Sequence, residues 1–203
     1  MDNKRTNKKQ KGLKMEETCK KVVEALKTRG FEAAYCATKE EAAAAVLAET
    51  ANASRVGMGG SMTMKELGVA GRLEAEGKLL TRGADCDVFL LSANAITSDG
   101  RIVNIDGNGN RVAASVSGPR KVMYAIGRNK IVDGGIDAAI ARIKEKACPP
   151  NCVRLGKKTP CAATGKCADC DSPDRICKVT AIFDRRPTGT PTAVYVVDDD
   201  LGY

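Results

Sequence analysis

Histidine and tryptophan are absent from this 203-residue chain, and aromatic residues make up only 3% of it. Without histidine the chain cannot build a Ser-His-Asp triad, a Cys-His pair or a zinc site that uses imidazole. So few aromatic rings leave little for nucleobases to stack on. No apolar run has the length of a membrane span, and the first residues lack the apolar stretch of a signal peptide. The sequence therefore predicts a cytoplasmic protein with neither a nucleic-acid nor a membrane partner.

The net charge of +8 is concentrated near the start of the chain. Residues 1–14 hold six lysines and arginines against the single carboxylate of Asp2, which accounts for five of the eight net charges. Such a composition cannot form an apolar core, so we predict that residues 1–14 are a disordered basic tail. The remainder, residues 15–203, suits one globular domain, because the chain is 43% hydrophobic and 29% charged.

The stretch 88–116 indicates the fold class. Residues 88–91 (VFLL) form a short, continuous apolar run, which is typical of a strand buried on both faces of a parallel sheet. Asp99 and Gly100 then separate two β-prone pieces and predict a tight hairpin. Residues 121–127 predict another buried strand, and residues 179–183 and 193–197 predict a final strand pair that adds to the main sheet. With helical patterns between these strands, we predict an α/β fold, a mainly parallel open sheet flanked by helices.

A polar, glycine-rich loop follows the hairpin. Gly107 and Gly109 let the backbone approach another molecule closely, and the neighbouring side chains offer hydrogen bonds in several directions. The alternative is an ordinary turn, since asparagine and glycine both tolerate positive φ. We favour a binding loop because the set is dense and ends in an arginine; its candidate residues are Asn104, Asp106, Asn108, Asn110 and Arg111.

A second glycine turn lies earlier in the chain, between a short strand and a helix. The order strand, glycine turn, helix start is one that holds phosphate or carboxylate groups. Thr63 and Glu66 are spaced as a capping box, so an ordinary strand-to-helix turn with a good cap is the alternative. The turn matches neither a Walker A loop nor a Rossmann fingerprint. Its candidate ligand-binding residues are Gly59, Gly60, Ser61 and Thr63.

Six of the nine cysteines fall between residues 148 and 177, in a turn-rich segment with little apolar content. We predict that this cysteine-rich module, residues 148–178, is an insertion near the end of the domain. Disulfides are disfavoured in the cytoplasm, so a local thiol cluster indicates a metal centre before free or redox-active thiols. Four thiolates suit either zinc or an iron–sulfur cluster, and Cys148 and Cys152 are alternates to the predicted ligands Cys161, Cys167, Cys170 and Cys177.

The central stretch also carries a family resemblance. The run SANAITSDGRIVNIDGNGNRVAA, followed by SGPRKVMYAIGRNKIV, resembles the LUD domain of lactate-utilisation proteins. That family is similar to the larger group with the fold of ribose-phosphate isomerase, glucosamine-phosphate deaminase and coenzyme A transferases. The resemblance spans about residues 15–147 and extends to the last residue, so residues 15–203 are expected to form one LUD-like α/β domain. It brings no catalytic residue with it.

The resemblance implies a protein that acts with iron–sulfur oxidoreductase subunits in oxidising lactate to pyruvate, or in a related redox step. Both glycine loops would then bind a small anionic metabolite, with Arg111 neutralising its charge and Asn94 and Asp106 orienting it. Residues 128–130 would add positive charge to the same mouth.

Two other functions stay open at this stage. One is a stand-alone isomerase or transferase acting on a phosphorylated sugar or a coenzyme A thioester, with Asp99, Asp106 or Glu66 as the general base. The other is a non-catalytic assembly or sensory subunit, in which the glycine loops are structural and the cysteine module docks a partner.

Overall fold

The computed structural model describes residues 2–80 and 85–203, with side chains from residue 12 onward. The helices are α1 (Asp2–Thr28), α2 (Lys39–Thr50), α3 (Met62–Glu66), α4 (Val69–Ala75), α5 (Asn110–Val116), α6 (Gly135–Arg142), α7 (Cys148–Arg154) and α8 (Pro160–Thr164). The strands are β1 (Glu32–Cys36), β2 (Val56–Met58), β3 (Leu79–Leu80), β4 (Val88–Leu91), β5 (Ala95–Thr97), β6 (Ile102–Asp106), β7 (Lys121–Gly127), β8 (Ile131–Val132), β9 (Val179–Phe183) and β10 (Thr192–Val197). A 3₁₀ turn (Arg128–Lys130) follows β7, and a π-helical turn (Ile143–Ala147) links α6 to α7. The predicted disordered tail, residues 1–14, lies mostly outside the described side chains and stays a prediction.

The main sheet has six strands, all parallel, in the order β1-β10-β7-β4-β2-β3. Its centre is apolar on both faces because helices cover both. Val122 and Tyr124 of β7 pack on one side with Leu26 of α1, and Met123 packs on the other with Leu73 of α4. The predicted α/β class with a mainly parallel sheet is confirmed, and β4 is buried along its whole length.

A smaller sheet, in the order β8-β5-β6-β9, stands beside the main one. The predicted hairpin at Asp99 and Gly100 is confirmed, since β5 and β6 pair antiparallel with Ala95 opposite Val103. Both of these residues pack against Ile143 in a third apolar cluster. The hairpin therefore turns the chain back, so that the loop after β6 starts beside the carboxyl end of β4.

The last two strands do not form the predicted pair. Strand β10 lies between β1 and β7 in the main sheet, where all six of its residues are buried. Strand β9 instead pairs antiparallel with β6 in the smaller sheet, and most of its residues are exposed. The two strands differ in burial, because β10 lies in the middle of a sheet covered on both faces and β9 lies at the edge of the smaller sheet.

The cysteine-rich module contains α7, α8 and a long irregular stretch that charged contacts hold together. The Arg175 guanidinium donates to the Cys170 carbonyl at 2.7 Å and to the Cys177 carbonyl at 2.8 Å. It also contacts Asp169, which accepts from Lys144 at 3.1 Å. These contacts fix the module beside the π-helical turn. In the described part of the chain, no helix has both the length and the apolarity needed to cross a membrane.

Gly100 offers a direct test of how closely the hairpin approaches α1. Its φ is +86°, and a Cβ there would lie 2.8 Å from the Ala25 carbonyl carbon and 2.9 Å from the Leu26 nitrogen. We expect Gly100→Ala to lower the free energy of unfolding in urea by more than the roughly 1–2 kcal/mol that a left-handed residue costs. Gly68→Ala is the matched control, because φ is +71° there and no described atom lies within 4 Å of the added Cβ. Equal losses in the two variants would contradict the close packing of hairpin and helix.

Candidate functional site

A cavity of about 910 Å³ lies where β2 and β4 end, between the main sheet and the cysteine-rich module. Sites of this size are typical of small-molecule and cofactor binding. Its walls include nine of the ten residues predicted to bind a ligand: Gly59, Gly60, Ser61, Thr63, Asn94, Asp106, Asn108, Asn110 and Arg111. The two glycine loops, far apart in sequence, therefore line one cavity.

Gly59 is the point at which the two loops meet. A Cβ at this position would lie 2.9 Å from Cγ and 3.0 Å from Cδ of Arg111. A side chain here would push the arginine away, so the glycine is required by this close approach and not by its φ. The first turn thus fixes the position of the cation supplied by the second loop.

The Arg111 side chain is held by a buried ion pair. Its Nη2 contacts Asp106 Oδ1, and it donates to the Ile105 carbonyl at 3.1 Å and to Asn94 Oδ1 at 3.3 Å. The other carboxylate oxygen of Asp106 accepts from the Val112 amide at 3.1 Å. Among the described residues, Nε and Nη1 of Arg111 have no acceptor. They are the groups that remain for a bound anion.

Asn94 and Asn104 join the end of β4 to β6. The Asn94 amide donates to Asn104 Oδ1 at 3.0 Å, and the Ile105 amide donates to Asn94 Oδ1, also at 3.0 Å. Asn104 is fully buried and does not line the cavity, unlike the other predicted ligand-binding residues. Its side chain therefore aligns the loop, whereas Asn94 also contacts Arg111.

Thr63 does not cap a helix as its spacing with Glu66 predicts. Ser61 occupies the cap position of α3 and accepts from the Met64 amide at 3.3 Å. Thr63 lies inside the helix, and its hydroxyl donates to the Leu201 carbonyl at 3.2 Å. The Glu66 carboxylate accepts from the Gly202 amide at 2.7 Å. The spacing prediction was wrong because an earlier hydroxyl takes the cap, and α3 uses both residues to hold the segment 201–203.

Lys130 is the most unusual cation of the cavity wall. It ends the 3₁₀ turn after β7 and is only 3% exposed. Its Nζ donates to Thr63 Oγ1 at 2.7 Å and to Ser92 Oγ at 2.9 Å. Among the described residues, no carboxylate lies within ion-pair distance of it. Burial, together with the nearby charges of Arg142 and Arg111, lowers the pKa of Lys130 to about 7, and Glu66 offsets this only in part.

Arg142 is a second, partly buried cation, and its partners among the described residues are main-chain oxygens. It donates to Asn129 O at 2.9 Å, to Asn94 O at 2.8 Å and to Tyr203 O at 3.1 Å. Desolvation lowers the pKa of its guanidinium. The charge of Arg142 adds to a positive field around Lys130.

The module adds further positive charge to the cavity. Four lysines and arginines of the module line the cavity. The sequence did not predict this, because the four residues follow no strand of the main sheet and reach the cavity only through tertiary packing. Against them the described wall has two carboxylates, Asp106 and Asp174, and Asp106 is already paired with Arg111. The cations are Arg154, Lys157, Arg175 and Lys178.

The four cysteines predicted to bind a metal are not gathered at one point. In the described part of the chain, no three cysteine or carboxylate side chains converge closely enough to hold an ion. Cys161 Sγ lies 3.7 Å from Cys152 Sγ, one of the two alternates. Cys148, the other alternate, lines the cavity. Burial, followed by the neighbouring thiols, raises the pKa of Cys148 to about 12, so this thiol is protonated at neutral pH.

Comparisons with known proteins agree with this architecture. A family model described as the LUD domain matches residues 19–78 and 72–197. A solved structure, that of a DUF162 family protein from Deinococcus radiodurans, is similar, with a TM-score of 0.56 and 16% sequence identity. The similarity covers 90% of this chain and 98% of that one, and at such an identity it shows the fold alone. No curated protein matches the chain.

Replacing Lys130 by methionine should change how stability depends on pH. Unfolded lysine titrates near pH 10.4, whereas the folded pKa of Lys130 is about 7. Between these values the unfolded state binds more protons, so the free energy of unfolding of the native protein rises with pH. We expect Lys130→Met to gain stability over the native protein below neutral pH and to lose that advantage progressively as the pH approaches 10.

Urea denaturation at several pH values measures this difference. The free energy lost with the two hydrogen bonds to Thr63 and Ser92 does not depend on pH in this range. The pH dependence of the stability difference between variant and native protein therefore reports the titration of Lys130. Lys65→Met removes an exposed lysine from the adjacent helix α3 and serves as the control. A Lys130→Met variant whose stability tracks the native protein at every pH would show that Lys130 titrates normally.

Proposed function

Because the chain belongs to the LUD domain family, we propose that it binds a small anionic metabolite in the cavity and takes part in a redox step of lactate utilisation. In this role it acts with iron–sulfur partner subunits in oxidising lactate to pyruvate, or in a closely related reaction. The family match supports the lactate-utilisation context. The anion specificity is supported by the cavity itself.

The observation that carries the proposal is the contact between Gly59 and Arg111. This contact brings both glycine loops to the Arg111 guanidinium. Two of its nitrogens, Nε and Nη1, have no hydrogen-bond acceptor among the described residues. Two further positive charges lie nearby: the buried Lys130, which has no carboxylate within ion-pair distance among the described residues, and the partly buried Arg142. A carboxylate or phosphate entering the cavity would gain charge-assisted hydrogen bonds in a partly desolvated site, where such bonds are strong.

Arg111 is the residue to remove in a binding test. The melting temperature of the native protein should rise with lactate, pyruvate, phosphate or coenzyme A. A variant without Arg111 should lose most of this rise. A hydrogen bond to a charged group contributes about 1.5–3 kcal/mol, so the dissociation constant should rise by roughly 10- to 100-fold. Titration calorimetry with the best anion measures that change.

The buried partner of Arg111 requires a matched design. Arg111→Met alone would leave the Asp106 carboxylate buried without its cation, which is strongly destabilising. Arg111→Met combined with Asp106→Asn removes both charges and separates folding from binding. Arg120→Met is the control, because this arginine side chain is 84% exposed and lies outside the cavity. If none of the anions shifts the native protein, the proposed site is wrong.

The contacts of the three candidate general bases argue against a stand-alone isomerase or transferase that uses one of them. Asp99 lies in the hairpin turn, where it accepts from Thr97 and Arg29, and these contacts lower the pKa of its carboxyl. The Asp106 carboxylate pairs with Arg111 and accepts from the Val112 amide, and the Glu66 carboxylate accepts from the Gly202 amide. None of the three predicted bases is therefore free in the cavity. Turnover by the purified protein alone would nevertheless favour this class over a redox subunit or an assembly subunit.

We also propose that the cysteine-rich module binds one metal centre, zinc or iron–sulfur, through Cys161, Cys167, Cys170 and Cys177. The six cysteines of the module, all of them among the described residues, form no disulfide. Arg175 holds the backbone of Cys170 and Cys177 through its hydrogen bonds to their carbonyls. The described thiols are not in a ready coordination geometry, so binding would draw them together. That behaviour is typical of a module whose folding is coupled to its metal.

Elemental analysis of protein prepared without oxygen tests the metal centre. We expect about one equivalent of zinc, or iron with labile sulfide and visible absorption. Cys167→Ser should abolish binding. Cys152→Ser is the informative comparison, because Cys152 lies beside Cys161 and is one of the two alternates to the predicted ligands. Loss of metal in Cys152→Ser would replace one member of the predicted set, and metal-free native protein would refute the centre.

A further inference from the structure

The anion site leaves one reactive group without a role, the amine of Lys130. We propose that Lys130 is a nucleophile that forms an imine with the carbonyl carbon of a small 2-oxo carboxylate bound in the cavity. The inference rests on the proposed anion site, since the carboxylate must be held there, and it adds a covalent step and a substrate class to it.

The hydrogen bonds around Nζ match a neutral amine. Thr63 Oγ1 already donates its hydrogen to the Leu201 carbonyl, and Ser92 Oγ donates to the Ala93 carbonyl at 3.4 Å. Both hydroxyls therefore accept from Nζ. A neutral amine has two N–H groups for these two acceptors and keeps a lone pair. An ammonium would have a third N–H group, for which the described residues provide no acceptor.

The charged groups around Lys130 act in the same direction. Arg142 on α6 and Arg111 on α5 are cations and disfavour a further positive charge nearby. Glu66 on α3 is the opposing carboxylate, but it is bonded to the Gly202 amide. Since burial is the largest influence and lowers the pKa to about 7, a large fraction of this amine is unprotonated at neutral pH.

The surroundings restrict the carbonyl compound. The segment 201–203 lies directly over the amine, because a Cβ on Gly202 would be 3.4 Å from Nζ and 2.7 Å from Thr63 Oγ1. This close cover favours a compact carbonyl compound. Amines add to ketones and aldehydes and not to carboxylates, whereas the unbonded nitrogens of Arg111 suit a carboxylate. A carboxylate adjacent to a carbonyl, as in a 2-oxo acid, meets both requirements.

The reaction is balanced without any oxidant or reductant. The Nζ lone pair forms a bond to the carbonyl carbon, and the C=O π electrons move to oxygen, giving a carbinolamine after proton transfer from nitrogen to oxygen. The carbinolamine then loses its oxygen as water, with both amine hydrogens ending in that water, and C=N remains. Protonation of the imine nitrogen by solvent gives an iminium, and the carboxylate of the bound substrate offsets its positive charge.

Reductive trapping with pyruvate tests the proposal on the full-length native protein. Cyanoborohydride delivers hydride to an iminium and makes the C–N bond permanent, so peptide mass spectrometry should find one carboxyethyl group on Lys130. Near pH 7 the labelling rate should exceed that of exposed lysines by roughly tenfold or more, because they are almost fully protonated there. The rate at Lys130 should rise with pH and level off above about 7.

Two variants serve as controls. Lys130→Met should lose the fast label, and circular dichroism verifies that it is folded. Lys65→Met removes an exposed lysine of α3 that lies outside the cavity wall and should keep the fast label on Lys130. Mapping in the native protein identifies the labelled lysine directly, so the test does not depend on either variant.

The two proposals fail in different ways. If pyruvate raises the melting temperature through Arg111 but Lys130 carries no carboxyethyl group, the imine is refuted and the anion site stands. If label is spread over exposed lysines at equal rates, the imine is likewise refuted. If neither pyruvate nor any other anion shifts the native protein, the anion site itself fails.

Discussion

The buried pair of Arg111 and Asp106 is the interaction on which the cavity depends. The Asp106 side chain is only 3% exposed, and it holds both the guanidinium and the first turn of α5. Losing one partner of such a pair costs about 3–5 kcal/mol, because the other charge stays buried alone. Arg111 in turn contacts Asn94 at the end of β4 and packs against Gly59 after β2. One ion pair thus joins three segments that the sheet brings to the same edge.

Lys130 and Arg142 are held by different contacts from those of Arg111. Lys130 donates to two hydroxyls and Arg142 to main-chain oxygens, and among the described residues Lys130 has no carboxylate within ion-pair distance. Hydrogen bonds to neutral acceptors stabilise the side chains without cancelling their field. A cavity built in this way stays positive while its walls stay ordered. That combination favours a ligand that brings its own negative charge, and it also keeps one amine close to neutrality.

Local sequence signals predicted the elements that depend on local physics. The apolar run of β4 and the turn residues Asp99 and Gly100 determine a strand and a hairpin within a few residues of chain. The position of the glycine turn after β2 was also predictable, because such turns lie at the carboxyl ends of the strands in an open parallel sheet. Asn104 shows the limit of that reasoning. It has the same polarity as its neighbours, but it lies inside the strand and bonds to the Asn94 amide.

Features that depend on distant packing were beyond the sequence. Strand β10 is buried between β1 and β7 whereas most of β9 is exposed, and no local sequence pattern distinguishes these two apolar segments. The depth of Lys130 is of the same kind, since a lysine after a strand is usually solvated. The thiol pair of Cys152 and Cys161 likewise depends on the packing of α7 against α8, and not on the spacing of the cysteines.

The central strand and the chemistry of Lys130 are linked through the segment that follows β10. Gly127 ends β7, and a Cβ there would lie 2.7 Å from the Leu201 nitrogen and 2.8 Å from the Asp199 carbonyl oxygen. The segment passes this close to the sheet, and Asn129 holds it by donating to the Gly202 carbonyl and accepting from the Leu201 amide. It then covers Lys130. Burial is the main reason that the pKa of this amine is low. The packing of this segment against the end of β7 therefore also determines how readily Lys130 is protonated.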